Sequence, residues 1–337
     1  MPDMISISID AMSGDSGLAV TAPAVLSALQ STPDLKITMV GDEKLIKQAI
    51  TAPPANLEIQ HASEIVAMDE MPALALRNKK DSSMRVAINL LKDKKVDACV
   101  SAGNTGALMV TGRFVLKMLE GIDRPAICTS LPTMSSHCWM LDLGANIDSD
   151  AEHLMQFAIM GNALVRAVDD NHNARVGLLN IGEEQVKGNH IVKEASSLLQ
   201  NTSLNYRGFI EGDDIYKGTV DLVVSDGFVG NVALKASEGV ARMIQHFLGE
   251  EFKKSTLRKL SGFIAMPVLK SLKKRIDPRN YNGASLLGLN GVLVKSHGGT
   301  DEFGFERAIM VAYNQAKNGL LEKIKHEMDN MLHQEYM

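Results

Sequence analysis

The residues best suited to chemistry in this chain are small and polar, and they recur in turns that follow apolar runs. Val96 to Met109 reads VDACVSAGNTGALM, in which Asp97 to Val100 has the pattern of a buried strand and Asn104 to Lys117 that of a helix. The first amides of a helix lack backbone acceptors, so Ser101, Asn104 and Thr105 together with Gly103 and Gly106 describe a turn open to an anionic oxygen. The frame V-D-x-x-V-S-x-G-x-x-G recurs from Val220 to Gly230, VDLVVSDGFVG, and brings in Asp226, Gly227 and Gly230. Two equivalent strand–turn–helix units predict one cleft with two polar rims.

Four further turns have the same character. They are DAMSGD with Asp10 and Gly14, DLGAN with Asn146, NIGEEQVKGN with Lys187, Gly188 and Asn189, and SHGGTD with His297. Tight connections explain any one of them alone, but all six follow predicted strands, and the carboxyl ends of strands in an open α/β sheet line the binding crevice. They are therefore expected along a single edge. Lys187 stands near a helix start, where the dipole does not favour a cation, which suits a ligand-facing role as well as a solvated lysine. Asn231 opens a helix as an N-cap or donates its amide to a carbonyl oxygen. His297 is a proton shuttle or a residue that bonds its own turn.

The elements that must position these turns alternate. Strands are predicted at Ile5–Ile9, Lys36–Val40 and Leu57–His61, with helices at Val20–Leu29, Glu43–Ile50 and Ser83–Lys92. Arg124–Ser130 and Cys138–Asp142 form a candidate antiparallel pair, followed by a helix over Ala151–Val168, a strand over Arg175–Ile181 and a helix over Asn189–Gln200. Strands at Asn205–Phe209 and Val220–Val224, a helix at Asn231–Leu248, a last strand at Leu293–Ser296 and a helix from Glu302 to about Gln334, broken near Gly319, complete the chain. No linker separates independent domains, so residues 1–337 are read as a single domain of two lobes.

Composition agrees with helices packed on a parallel sheet: of 337 residues 45% are apolar and only 4% aromatic, with 27 Gly and 19 Met. Cys99, Cys128 and Cys138 have no ligand spacing and are expected as reduced core thiols in a reducing compartment. There is no signal-peptide pattern and no 18-residue apolar run, which predicts a cytoplasmic protein. A nucleotide loop is missing, and the adjacent Glu183 and Glu184 are a weak metal signal, so no cofactor and no metal are expected. The net charge of −5 argues against a nucleic-acid partner. Residues 252–276 nevertheless hold eight Lys or Arg and no acid, leaving −13 on the rest. Leu257, Leu260, Ile264, Val268 and Leu272 recur there at helical spacing, with Pro267 bending or dividing the helix. A basic amphipathic segment of this kind fits an anionic membrane surface, or else packs in a dimer or lies solvated.

IDAMSGD, VSAGNTGALM, GIDRPAI, LDLGAN, LLNIGEE-x-x-KGN, SDGFVGNVALKASEG and G-x-x-LLG-x-NG-x-x-x-x-x-HG occur in this order between Ile5 and about Ala308. Together they resemble the phosphate acyltransferases of bacterial phospholipid synthesis. Ser13 departs from the family's usual glycine in DAMGGD, and Gly299-Thr300 stands where serine is common after His-Gly. The resemblance implies a three-layer αβα fold like that of isocitrate and isopropylmalate dehydrogenases, with two lobes around a cleft, and a homodimer docked peripherally on the cell membrane. It implies reversible acyl transfer from an acyl carrier protein to orthophosphate, without cofactor, with the acyl phosphate passing to a membrane glycerol-3-phosphate acyltransferase. Lys187 and Asn231 fall on the family's lysine of KGN and asparagine of GFVGN. Phosphate is itself a nucleophile, so the protein needs only to hold it against the thioester and to stabilise an oxyanion. An acyl-CoA-linked enzyme would use the same cleft, a dehydrogenase would need a nicotinamide loop and an aspartate metal site, and a lipid-surface scaffold would not need six polar turns.

Overall fold

A computed structural model of the chain describes residues 4–335. From the amino end, β1 (Ile5–Asp10), α1 (Leu18–Ser31), β2 (Leu35–Gly41), α2 (Glu43–Ala49) and β3 (Leu57–His61) alternate, then α3 (Pro72–Asn78) and α4 (Ser83–Lys92) precede β4 (Ala98–Ser101) and α5 (Thr105–Leu116). The middle of the chain supplies β5 (Ala126–Pro132), β6 (His137–Leu141), α6 (Ala151–Val168), β7 (Arg175–Leu179), α7 (His190–Gln200) and β8 (Asn205–Ile210). After α8 (Asp214–Lys217) come β9 (Leu222–Val224), α9 (Gly227–Lys253), α10 (Thr256–Ile276) and a 3-10 turn at Pro278–Tyr281. Finally β10 (Ala284–Leu287) and β11 (Val292–Lys295) lead to α11 (Glu302–Lys317) and α12 (Leu320–Glu335).

All eleven strands form one sheet in the order β3-β2-β1-β4-β11-β10-β5-β6-β9-β7-β8. Alternate residues of each strand feed opposite layers. In β4, Ala98 and Val100 pack with α1 and α11 while Cys99 packs with α4 and α5. In β9, Leu222 and Val224 pack with α6 and Val223 with the other layer. The result is a three-layer αβα arrangement.

The expected alternation is present, with β3, α4 and α6 at the predicted bounds and β5 and β6 antiparallel, Thr129 facing Met140. α12 is separated from α11 at Gly319, whose φ of +65° is a conformation a glycine takes without strain. The differences are these: α3 and α8 have no counterpart among the expected elements. α9 starts at Gly227 and not at Asn231, because Asp226 is its N-cap and accepts a bond from the Val229 amide. Pro267 lies inside α10 without dividing it. The run GASLLGLNG, read only as a motif, contains β10.

β10 governs the geometry. It is antiparallel to both β11 and β5, and β5 is antiparallel to β6, whereas β1, β4 and β11 are mutually parallel, as are β6, β9, β7 and β8. The β6–β8 half therefore runs opposite to the β1–β4 half. The six polar turns do not share one edge: those after β1, β4 and β11 lie at one edge of the sheet, and those after β6, β7 and β9 at the other.

Candidate active site

The first edge is a closed polar knot. Ser101 Oγ donates to Asp10 Oδ2 at 2.6 Å, Ser13 Oγ donates to the Asp10 carbonyl at 2.6 Å, and the Ala102 amide donates to Ser13 Oγ at 2.9 Å. The Asp15 amide ties this turn to the Gly298 carbonyl at 2.9 Å. Serine at position 13 thus supplies a hydroxyl that links two turns. Asp10 is buried beneath them, its Oδ1 has no hydrogen-bond partner, and burial raises its pKa against the opposing effect of Ser101. Lys295, also buried, gives its ammonium to the carbonyls of Ala102 and Ser296, and burial brings its pKa down to about 8.

Gly103 and Gly106 make room for side chains from earlier in the chain, and the Gly103 amide donates to Ser101 Oγ at 3.1 Å. A Cβ on Gly103 would lie 2.7 Å from Met84 Cε, and one on Gly106 2.8 Å from Pro72 Cγ. Gly14 is likewise closed by the Gly298 carbonyl. Asn104 caps α5 by accepting from the Ala107 amide, and its own amide is committed to the carbonyls of Met68 and Glu70, each at 2.9 Å. Thr105 is exposed at the first position of the helix. His297 is exposed and bonds its own turn, with Nδ1 accepting from the Gly299 amide at 3.1 Å and its amide donating to Asn282 Oδ1 at 2.9 Å.

The second edge is organised by Asp142, which closes β6 as Asp10 closes β1. Its carboxylate accepts from the amides of Ile127 (2.9 Å), Ala145 (3.0 Å) and Asn146 (2.7 Å) and from Asn146 Nδ2 (2.9 Å). Burial raises its pKa, and these donors act in the opposite direction. Asn146 also donates to the Pro125 carbonyl at 2.8 Å and accepts from the Gly227 amide at 2.9 Å, which makes it a buried strut between β5 and α9. Gly230 is obligatory here because a Cβ would overlap the Asp142 carbonyl oxygen. The repeated frame places β4 and β9 in register, yet its two turns differ: the N-cap is Asn104 in one and Asp226, two frame positions earlier, in the other.

Of the candidate residues at this edge Lys187, Asn189 and Asn231 are exposed, with Glu183 and Glu184 exposed in the same turn as Lys187. Lys187 is exposed in the turn after β7, with its amide bonded to the Glu184 carbonyl, and no ion pair engages its ammonium among the described residues. Gly188, at φ +89°, turns the chain there, and Asn189 caps α7. Asn231 is exposed one turn into α9, its side chain beside Gly144. Around them the same turns expose Ile147, Ile181, Val186, Phe228, Val229 and Val232, between 41% and 80% accessible. The first edge exposes fewer: Phe303, in the first turn of α11, and Met68, whose carbonyl accepts from the Asn104 amide, are 42% and 43% accessible.

The thiols take no part: all three are buried, Cys99 and Cys138 are pushed up to about 12 and Cys128 well above its ordinary value. Asp142 and Lys295 stood outside the sequence-derived candidates. The signal for Asp142 was an acid ending a strand before a glycine turn, as at Asp10; for Lys295 it was a lysine closing an apolar strand.

The family described as "Fatty acid synthesis protein" matches residues 5–323. Curated proteins named phosphate acyltransferase are similar over almost their whole length. That of Methylococcus capsulatus is 54% identical over 332 residues, 97% of this chain and 98% of the relative. That of Alcanivorax borkumensis is 56% identical over 322 residues, covering 94% and 95%. Among solved structures, a phosphotransacetylase from Streptococcus pyogenes (TM-score 0.62, 15% identity, 93% and 94% coverage) and a branched-chain phosphotransacylase from Enterococcus faecalis (TM-score 0.58, 13% identity, 93% and 99% coverage) share the fold. The protein is therefore an acyltransferase on an αβα scaffold, with phosphate as its acyl acceptor. Within that class, the chain belongs to the phosphate acyltransferase family.

Proposed function

We propose that the second edge carries the reaction, in which a fatty acyl group passes from the thioester of an acyl carrier protein to orthophosphate and yields the acyl phosphate used for phosphatidic acid and phospholipid synthesis. The observation that supports this edge is the number of exposed apolar side chains in the turns and helix start that carry Lys187 and Asn231. A long acyl thioester needs apolar cover beside the point where charge develops. A phosphate oxygen attacks the carbonyl carbon, the C–O bond forms, and the C–S bond breaks. The thiolate leaves and takes a proton from water. Lys187 offsets the charge of phosphate and oxyanion, and the Asn231 amide donates to the carbonyl oxygen. Hydroxylamine trapping tests the reading: hydroxamate should form from acyl carrier protein only when phosphate is added, with no ATP, NAD or metal. Formation without phosphate, or with acyl-CoA but not with the carrier thioester, would count against it.

The pair α9 and α10 supports a homodimer on an anionic membrane. Val240, Met243, Ile244, Phe247 and Leu248 recur at helical spacing on α9 and are exposed, which fits a seam with a second copy. On α10, Leu257, Leu260, Phe263, Ile264 and Val268 are 57–75% exposed, so they do not pack inside their own chain. Among the described residues no helix is long and apolar enough to cross a membrane. Each Lys or Arg near an anionic leaflet contributes about 1 kcal/mol, screened by salt, and inserted apolar side chains add to it. Product release at the surface where a membrane glycerol-3-phosphate acyltransferase takes it up is then direct. The wild type is expected to sediment as a dimer and to bind anionic vesicles less as salt rises. A Leu260→Glu, Ile264→Glu variant should lose vesicle binding and keep turnover, and equal vesicle binding by both would remove α10 as the docking segment.

A further inference from the structure

Phe114 projects from the outer side of α5 and is 53% exposed. Two cations use its ring: Arg85 Cζ from α4 lies 5.1 Å, and Lys117 Nζ 5.0 Å, from the ring centroid. Some cations of this acidic chain have carboxylate partners, such as Lys36 with Glu58 and Arg175 with Asp221, and others, Lys187 among them, have none among the described residues. No carboxylate pairs with Arg85, Arg113 or Lys117 among the described residues. Lys117 is also held in place, at φ +66°, with its carbonyl accepting from the Asn290 amide at 3.0 Å. A non-glycine residue keeps such a backbone only where its surroundings fix it. The patch therefore combines a fixed apolar plane with cations whose charge the protein does not neutralise.

Its position matters. α5 follows β4 and runs back from the first edge, so Phe114 and Lys117 at its carboxyl end lie toward the second edge. The Lys117 carbonyl accepts from the amide of Asn290, just past the carboxyl end of β10, and β10 runs in the same direction as β6. We infer that this patch receives an acidic face of the protein that delivers the acyl thioester, with carboxylates on Arg85 and Lys117 and an apolar side chain on Phe114. The inference rests on the carrier-thioester reading above. A free small-molecule thioester has no surface with which to cover α4 and α5, whereas a carrier must dock somewhere within reach of the second edge. Cations already stacked on a ring lose little freedom when a carboxylate arrives, and charges of this kind set encounter and affinity more than chemistry.

The test compares two donors, the acyl carrier protein thioester and the uncharged acyl pantetheine, in wild type, Arg85→Glu/Lys117→Glu and Phe114→Ser. Reversing two rim charges should raise KM for the carrier about tenfold or more with kcat little changed, and leave KM for acyl pantetheine unaltered. Raising salt from about 50 to 300 mM should weaken the wild type toward the double variant, as expected of screened exposed charges. An equal rise of KM for both donors, or none for the carrier, overturns the docking patch. Fluorescence anisotropy of labelled carrier separates the two readings. Binding that is lost in the double variant, without turnover of the thioester by the wild type, leaves the patch and refutes the donor; wild type that does not bind the carrier refutes the patch.

Discussion

Lys187→Ala and Asn231→Ala each lower kcat by on the order of 10²–10³, about 3–4 kcal/mol of transition-state stabilisation, which is the usual cost of losing one donor to a developing oxyanion. The variants keep their melting temperature, because both side chains are exposed and Lys187 has no ion pair among the described residues to lose. Substitutions at such positions change stability by roughly half a kcal/mol or less. Lys187→Arg retains charge but not shape, and so it separates a general cation from a positioned ammonium. Stopped assays of hydroxamate formation at saturating phosphate, with thermal melts of the same preparations, decide the matter. Near wild-type turnover in either alanine variant would make that residue structural and move the chemistry to the first edge.

The second large effect concerns packing. Gly230→Ala forces a methyl group into the Asp142 carbonyl, a backbone atom that cannot rotate away. Overpacking of a rigid site costs typically about 1–3 kcal/mol and at times more, and here we expect the upper end or beyond. α9 would be lifted from the turn that Asp142 and Asn146 hold together, so activity should fall with stability. Gly239, further along α9, has nothing within 4 Å of its Cβ position, and Gly239→Ala removes an exposed helical glycine. That change should stabilise by about 0.5–1 kcal/mol. Denaturant midpoints of the pair measure the contrast. Equal midpoints would mean that α9 is not seated on Asp142 as described.

Much of the scaffold could be read from the chain because its signals are local. Alternation marked β3 at Leu57–His61, and the i, i+3, i+4 recurrence marked α4 and α6 at their observed bounds. Capping is nearly as local, yet the reading of α9 failed by four residues because Asp226 competes with Asn231 for the role and a glycine follows it. The glycines of SAGNTG marked the turn but not what packs against it. Their missing Cβ atoms make room for Met84 and Pro72, which approach from earlier in the chain, and no pattern around Gly103 announces that. The division of the six turns between two edges had the same origin. It depends on β10, a four-residue strand pairing with β5 and β11, and strand direction is set by partners distant in sequence.

The insertion of β10 and β11 also bears on how the protein is made. β4 pairs with β11 through Ala98 and Val292, 194 positions apart, and β5 pairs with β10 through Cys128 and Ser285. On a ribosome adding roughly 5–20 residues per second, β4 waits on the order of 10–40 s for its neighbour to be synthesised. During that interval the β1–β4 half has an open apolar strand at its inner edge. An unpaired edge of this kind is a template for other chains. The β4 sequence Ala98-Cys-Val-Ser101, buried throughout in the finished fold, is where a nascent chain would need a chaperone until its own carboxyl-terminal strands arrive.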